Sequence, residues 1–143
     1  MISSSSVATL VAVTKEAERA LGGKSEVRVT QFPFKVGRES RVSNAPPHVV
    51  ELRLGVAPQL NDVYLLEPQE SDLWHISREH FAIERADGLF FLVDRGSVCG
   101  TIVAGRQIGG DRTGGRVELR IGDEIKVGTD GSRYVFRFEI VSS

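Results

Sequence analysis

Several features are scarce or absent in this chain of 143 residues, and each absence excludes a class of protein. The chain has one cysteine, Cys99, so no disulfide can form within it, which is typical of a reducing compartment. The longest apolar run near the start, 7–13, is too short to span a bilayer, and residues 1–4 lack the basic segment of a signal peptide. No run rich in Lys or Arg stands out in a chain of formal net charge -1, so neither nucleic acid nor a membrane is expected as a partner. We therefore predict a cytoplasmic protein.

What the chain does contain is the composition of a folded domain. Hydrophobic residues make up 41% and charged residues 26%, proportions typical of a globular protein with a core. No internal repeat or heptad pattern divides the chain, and its length suits one domain. We predict a disordered or linker tail at 1–6 and a single domain at 7–143, with a long insertion at about 41–60.

Short runs in which apolar and polar residues alternate recur along the chain, and turn signals separate them. In the last run, Tyr134, Phe136 and Phe138 share one face, while Arg137 and Glu139 lie on the other. The other strand candidates are 7–13, 26–30, 32–36, 63–66, 81–85, 89–94, 101–103, 117–120 and 124–127. Many short strands predict an all-β fold, a β-sandwich of two antiparallel or mixed sheets.

Three local sequence signals add detail to this prediction. Asp87-Gly88, between two strand candidates, indicates a hairpin turn. Pro33 places its strand at a sheet edge or marks a break in it. The Ala/Glu/Lys/Arg-rich segment ending at Gly22-Gly23 indicates at most a short helical turn near residues 15–21.

One polar segment stands out as a candidate site. Ile76-Ser77-Arg78-Glu79-His80 brings a hydroxyl, a guanidinium and an imidazole together just before a strand candidate, and such loops often carry binding groups. Gly37-Arg38 ends an earlier run. A phosphate group carries close to two negative charges and three acceptor oxygens, which an Arg fork, a hydroxyl and loop amides would suit. Each residue alone also has a purely structural explanation. An Arg at a strand end is usually solvated, and a Ser in a loop usually caps a backbone group.

Four motifs in order resemble the forkhead-associated (FHA) domain family. They are Gly37-Arg38, Ser77-Arg78-Glu79-His80, the segment 94–105 that begins Asp94-Arg95-Gly96-Ser97, and the segment 119–128 around Gly122-Asp123. The resemblance covers about residues 26–141. It implies an FHA-like sandwich of eleven strands whose loops at one end bind phosphothreonine peptides, the Arg-centred mode of phosphopeptide recognition.

The resemblance also implies a role for individual residues. Arg38 and Ser77 would hold the phosphate, with Arg78 beside it, and Val98 and Cys99 would contact the peptide. His80 would brace the loop from below, and Gly37 and Gly100 would let the backbone turn. The implied partner is a threonine-phosphorylated protein or peptide made by a Ser/Thr protein kinase, which the domain would recruit or scaffold without any cofactor or metal.

Two departures from the family pattern bear on affinity. Family members usually carry Asn at the Cys99 position, where its side chain holds the peptide backbone, and a thiol is a weak substitute. The family often has Asn at the Ala104 position too. Losing two hydrogen bonds of about 1 kcal/mol each predicts a loss of roughly one to two orders of magnitude in affinity. These departures, with the 41–60 insertion, favour an alternative: a phosphate-independent protein interaction module on the same fold.

Enzymatic readings find little support in the sequence. Ser77 and His80 do not define a catalytic pair, and no Gly-x-Ser-x-Gly elbow occurs. The three histidines lack zinc-ligand spacing, and the glycine-rich loop 109–115 lacks the Gly-Lys-Ser/Thr of a nucleotide phosphate loop. A reactive Cys99 remains a further alternative, since Arg95 would favour its thiolate, but no base is paired with it. We predict a binding module and not an enzyme.

Overall fold

Eleven strands and one helix make up the described part of the chain, which in this computed structural model comprises residues 6–38, 61–66 and 75–142. The elements are β1 (Ser6–Ala12), α1 (Lys15–Ala20), β2 (Glu26–Val29), β3 (Phe34–Arg38), β4 (Val63–Leu65), β5 (Phe81–Ala86), β6 (Leu89–Asp94), β7 (Thr101–Val103), β8 (Arg106–Ile108), β9 (Gly115–Leu119), β10 (Glu124–Val127) and β11 (Val135–Ser142). Among the described residues, no helix has the length and apolarity that a membrane crossing requires.

The strands form two sheets that pack face to face. One sheet has six strands in the order β2-β1-β11-β10-β7-β8, and the other has five in the order β4-β3-β5-β6-β9. The β3–β4 pair is parallel, while β5 pairs with β3 and β6 in antiparallel fashion. The predicted all-β sandwich with mixed pairing is therefore confirmed.

The core follows from the alternation of apolar residues along the strands. On β11, Phe136 and Phe138 are fully buried, whereas Arg137 between them is exposed. Phe90 of β6, in the other sheet, lies with its ring centroid 5.4 Å from that of Phe138. Aromatic residues of both sheets thus meet between them, and burial of such side chains is the main source of stability.

The short helix also forms where the sequence predicts a helical turn. Thr14 caps it, with its Oγ1 accepting the Ala17 N–H at 3.2 Å and donating to the Arg133 carbonyl at 2.6 Å. Ala17 is fully buried, and Gly22, with φ of 73°, follows the C-cap. The predicted short helix is confirmed.

Five described segments gather at one end of the sandwich. Strand register places the end of β3, the start of β5, the end of β6 and the start of β9 side by side, and β10 ends beside the start of β7. We call this the loop end: residue 38 and the segments 75–80, 95–100, 109–114 and 128–134. The turns at 87–88, 104–105 and 120–123 lie at the opposite end.

The structure differs from the sequence prediction at several strand boundaries. β3 begins at Phe34, after Pro33, and is flanked by β4 and β5, so the proline marks a break and not a sheet edge. β8 was not predicted, because two of its three residues, Arg106 and Gln107, are exposed and polar and give no strand signal. β1 begins at Ser6, inside the predicted tail; residues 1–5 and the predicted insertion at 41–60 lie outside the described residues, so those predictions stay untested.

Candidate functional site

Arg38 is the last residue of β3 and is joined twice to the loop that precedes β5. Its backbone N–H donates to the Ser77 carbonyl at 2.9 Å, and its Nε donates to the Ile76 carbonyl at 2.9 Å. The side chain is half-buried. The guanidinium is therefore held against the 76–78 segment and does not extend freely into solvent.

Ser77 connects that segment to two other parts of the loop end. Its backbone N–H donates to His80 Nδ1 at 3.0 Å, and its Oγ accepts the Val98 N–H at 3.0 Å. A serine hydroxyl has one proton and two acceptor lone pairs. Because the Val98 N–H occupies a lone pair, the Ser77 hydroxyl keeps its proton as a donor.

His80 lies beneath the loop and is fully buried. Since Nδ1 accepts from Ser77, the ring proton is assigned to Nε2, which donates to the Gly100 carbonyl at 2.6 Å. The His80 backbone bonds to Val36 and Arg95. The imidazole thus links two loops from the inside and is not placed to touch a ligand.

Two glycines allow the backbone segments to approach closely, for different reasons. A Cβ at Gly37 would lie 1.9 Å from the Arg78 carbonyl oxygen, so this position needs the absence of a side chain, while its φ is ordinary. Gly100 has a φ of 82°, a conformation that glycine adopts at little cost. The turning role implied by the resemblance therefore applies to Gly100, and Gly37 serves close packing instead.

A buried carboxylate organises the loop between β6 and β7. Asp94 is 3% exposed; its Oδ1 accepts the N–H groups of Gly96 and Ser97, and its Oδ2 accepts the hydroxyls of Ser97 and Thr101. Ser97 Oγ in turn accepts the Gly100 N–H at 2.9 Å. Four donors on one carboxylate fix the loop from within.

This loop presents Val98 and Cys99 at the surface. Val98 is 45% exposed and Cys99 is half-buried. The β8–β9 loop bonds to the same segment, with the Asp111 N–H donating to the Val98 carbonyl at 2.8 Å and the Arg112 N–H to the Ser97 carbonyl at 2.9 Å. Asp111 and Arg112 have positive φ angles of 51° and 63°. Such angles are uncommon outside glycine and often mark functional loops.

The FHA domain family model matches residues 52–128, more than half of the chain. The chain belongs to the FHA domain family. Solved structures agree with this: the FHA domain of a Chlamydia trachomatis protein is 20% identical, with coverage of 93% of this chain and 96% of that one and a TM-score of 0.57. The FHA domain of an Arabidopsis thaliana hypothetical protein is 22% identical, with coverage of 97% and 89% and a TM-score of 0.61. The predicted FHA-like fold is confirmed.

A third similar structure contains a ligand. Mycobacterium tuberculosis EmbR, solved in complex with a low-affinity phosphopeptide, is 20% identical, with coverage of 96% of this chain and 25% of EmbR and a TM-score of 0.57. At these identities the likeness shows a shared fold. No protein among the curated sequences matches this chain.

The structure separates the two departures of this FHA domain from the family pattern. Cys99 lies at the loop end, next to Val98, but Ala104 lies beyond the other end of β7, in the β7–β8 turn. Ala104 and Gly105 have φ of 50° and 82°, and a two-residue hairpin turn with positive φ at both positions favours Asn-Gly. An Asn at this position would serve the turn, so the expected loss of a second clamping side chain at Ala104 is wrong.

Sequence reasoning missed Asn61 and assigned Arg95 a different role. The Arg95 guanidinium donates to Asn61 Oδ1 at 2.8 Å and lies 3.3 Å from Glu79, so these two residues engage it. Burial lowers the pKa of Arg95, an effect that the nearby Glu79 and Asp62 carboxylates oppose. An arginine stays charged in proteins despite such a shift.

Proposed function

We propose that this FHA domain is a phosphothreonine-peptide binding module that recruits or scaffolds phosphorylated partner proteins. The observation that supports the proposal is that the same loop holds both residues: the Arg38 N–H bonds to the Ser77 carbonyl, the Arg38 Nε bonds to the Ile76 carbonyl, and the Ser77 Oγ accepts the Val98 N–H. Arg78, which is exposed and follows Ser77 in sequence, would supply a second cation. The phosphopeptide bound by EmbR, a protein of the same fold, supports the proposal.

The physical basis is charge recognition by groups that are already ordered. A phosphate ester carries close to two negative charges, and each hydrogen bond to a charged group contributes about 1.5–3 kcal/mol. Ordering a side chain on binding costs about 0.5–1.5 kcal/mol. Because Arg38 and Ser77 are held by the bonds described above, most of this cost falls on folding and not on binding.

The peptide on either side of the phosphate would lie over Val98 and Cys99. Since Ala104 is at the other end of the sandwich, Cys99 accounts for one missing amide at the loop end. The loss of a neutral hydrogen bond of about 1 kcal/mol corresponds to about five-fold in affinity. This is less than the sequence alone predicts, and it leaves phosphate recognition the dominant interaction.

The partner is expected to be a protein or peptide phosphorylated on threonine by a Ser/Thr protein kinase. We further propose that the domain binds its partner without catalysing a reaction and that it is located in the cytoplasm. The solitary cysteine, which suits a reducing compartment, supports the location.

A phosphate-independent interaction module on the same fold is the second candidate. It draws on the thiol in place of an amide at Cys99 and on the exposed apolar side chain of Val98. An apolar partner segment would use this surface without needing Arg38.

Fluorescence-anisotropy titration of a degenerate phosphothreonine peptide pool distinguishes these candidates, with the unphosphorylated pool as control. Arg38→Ala should abolish binding of the phosphorylated pool. Arg120→Ala is the matched control, since that arginine is 78% exposed in a turn at the opposite end, and it should leave binding unchanged. Equal binding of both pools, unaffected by Arg38→Ala, would reject phosphate recognition and favour the second candidate.

A further inference from the structure

A polar pair formed by buried Asn61 and half-buried Arg95 contacts the 76–80 segment. Asn61 is 3% exposed and the Arg95 side chain 15% exposed. Arg95 Nη1 donates to Asn61 Oδ1 at 2.8 Å, and Asn61 Nδ2 donates to the Arg78 carbonyl at 2.8 Å. A continuous chain of hydrogen bonds thus runs from the β6–β7 loop, through Asn61 two residues before β4, to the segment that contains Ser77.

Arg95 reaches the same segment a second time. Its Nη2 lies 3.3 Å from Glu79 Oε1, so the two amino groups of one guanidinium serve two different acceptors. Burying this charge has a cost, which shows as the lowered pKa of Arg95. The planar fork of arginine fits two acceptors at once, whereas the single ammonium of lysine does not reproduce that geometry.

The Arg78 carbonyl oxygen is crowded by both this pair and β3. A Cβ at Gly37 would lie only 1.9 Å from this oxygen and 2.8 Å from Asn61 Nδ2, which itself donates to the oxygen at 2.8 Å. Confining the carbonyl fixes the plane of the peptide bond that follows Arg78 and limits how the Ser77–Arg78 segment can rotate. Ser77 directly precedes Arg78, and Arg38 directly follows Gly37, which packs against this carbonyl. A shift of the carbonyl would therefore displace both proposed anion-binding residues.

We propose that Asn61 and Arg95 are positioning residues for anion recognition. They hold the Ser77–Arg78 segment in the orientation in which the Ser77 hydroxyl and the Arg38 guanidinium face the same phosphate, and they do not touch the ligand. This inference rests on the proposed function. Without the pair, a smaller fraction of the protein has the loop conformation that binds phosphate. The apparent affinity falls in proportion to that fraction.

Amide hydrogen exchange tests the loop-ordering step without any ligand. In Arg95→Met and in Arg95→Lys, the Ser77 and Val98 amides, which bond to His80 Nδ1 and Ser77 Oγ, should exchange about ten-fold faster. The Phe138 amide, bonded to Asp123 in the opposite part of the fold, should be unchanged. Equal acceleration at all three amides would mean that Arg95 supports global stability alone and would overturn the inference.

Phosphopeptide titration tests the consequence for binding. Both Arg95 variants should bind the phosphothreonine pool about ten-fold more weakly, the equivalent of one charge-assisted hydrogen bond. Arg137→Met is the matched control, because Arg137 makes a comparable pair with Glu139 at 2.8 Å on the exposed face of β11. It should bind like the wild type. Wild-type affinity in Arg95→Lys would show that positive charge suffices and would refute positioning by the fork.

Asn61→Asp isolates the contact with Arg78 and guards against misfolding of the Arg95 variants. It keeps an acceptor for Arg95 but replaces the donor that faces the Arg78 carbonyl. We expect weaker phosphopeptide binding by a variant that circular dichroism shows to be folded at the assay temperature; unchanged binding would overturn the inference. If the wild type binds both pools equally, the proposed function fails and the ligand part of this inference with it, while the exchange rates still decide whether the pair orders the loop.

Discussion

Replacing Cys99 by asparagine should tighten phosphopeptide binding. The thiol is half-buried beside Val98, whose N–H is bound to Ser77, so a side chain at this position lies next to the proposed phosphate site. A thiol is a weak donor and acceptor, whereas the asparagine amide offers two donors and an acceptor. An extended peptide presents one N–H and one C=O per residue to such an amide.

The magnitude follows from the number of bonds that the new amide can make. One or two neutral hydrogen bonds of about 1 kcal/mol each correspond to an affinity gain of about 5- to 30-fold. The assay is an anisotropy titration of the phosphothreonine pool at fixed salt, in parallel with the unphosphorylated pool. Cys99→Ala should stay within about two-fold of the wild type, because it removes only a weak hydrogen-bonding group.

Ala104→Asn is the matched control, since it restores the other asparagine of the family pattern at the opposite end of β7. It should leave phosphopeptide affinity unchanged and raise the melting temperature by about 2–4 °C, as Asn is better suited than Ala to the first position of this turn. An equal affinity gain in both variants, or none in Cys99→Asn, would refute the assignment of Cys99 to the site and of Ala104 to the turn.

Three further substitutions test the framework of the site. Gly37→Ala should weaken phosphopeptide binding at least about ten-fold, since its Cβ would lie 1.9 Å from the Arg78 carbonyl and displace it; wild-type affinity by calorimetry would contradict this. His80→Leu should lower the free energy of unfolding by about 2–5 kcal/mol, because it strands two buried backbone groups, and a change below about 1 kcal/mol in urea titration would contradict the bracing role. Asp94→Ala should cost about 3 kcal/mol for the same reason, measured in the same way, and a neutral result would show that the loop holds without its carboxylate.

Much of the fold could be predicted from the sequence because it depends on short-range pattern. The alternation in β11 and the Asp-Gly turn between β5 and β6 identify elements by themselves. β8 could not be found this way, since its three residues take their strand conformation from pairing with β7. Tertiary context decides such short strands.

The candidate site was only partly predictable, for a related reason. Motif resemblance pointed to Arg38, Ser77 and His80, but it could not show which residues meet. The bond between Asn61 and Arg95 joins residues 34 apart in the chain, with no local signal for it. Ala104 was misplaced because a motif records order along the chain and not the end of the sandwich at which each residue lies. The Asp94, Ser97 and Thr101 spacing was a readable signal, since short polar side chains near a turn often bond to nearby backbone groups.

The most direct test of phosphate recognition at Arg38 and Ser77 is a two-dimensional nuclear magnetic resonance titration with the phosphothreonine pool. The measured quantities are the shifts of the Arg38 Nε–H and of the Ser77 and Val98 amides. We predict that these signals move most, that signals from the opposite end such as Gly122 stay in place, and that the unphosphorylated pool produces no such shifts. Equal shifts from both pools, or shifts confined to surfaces away from the loop end, would contradict the account.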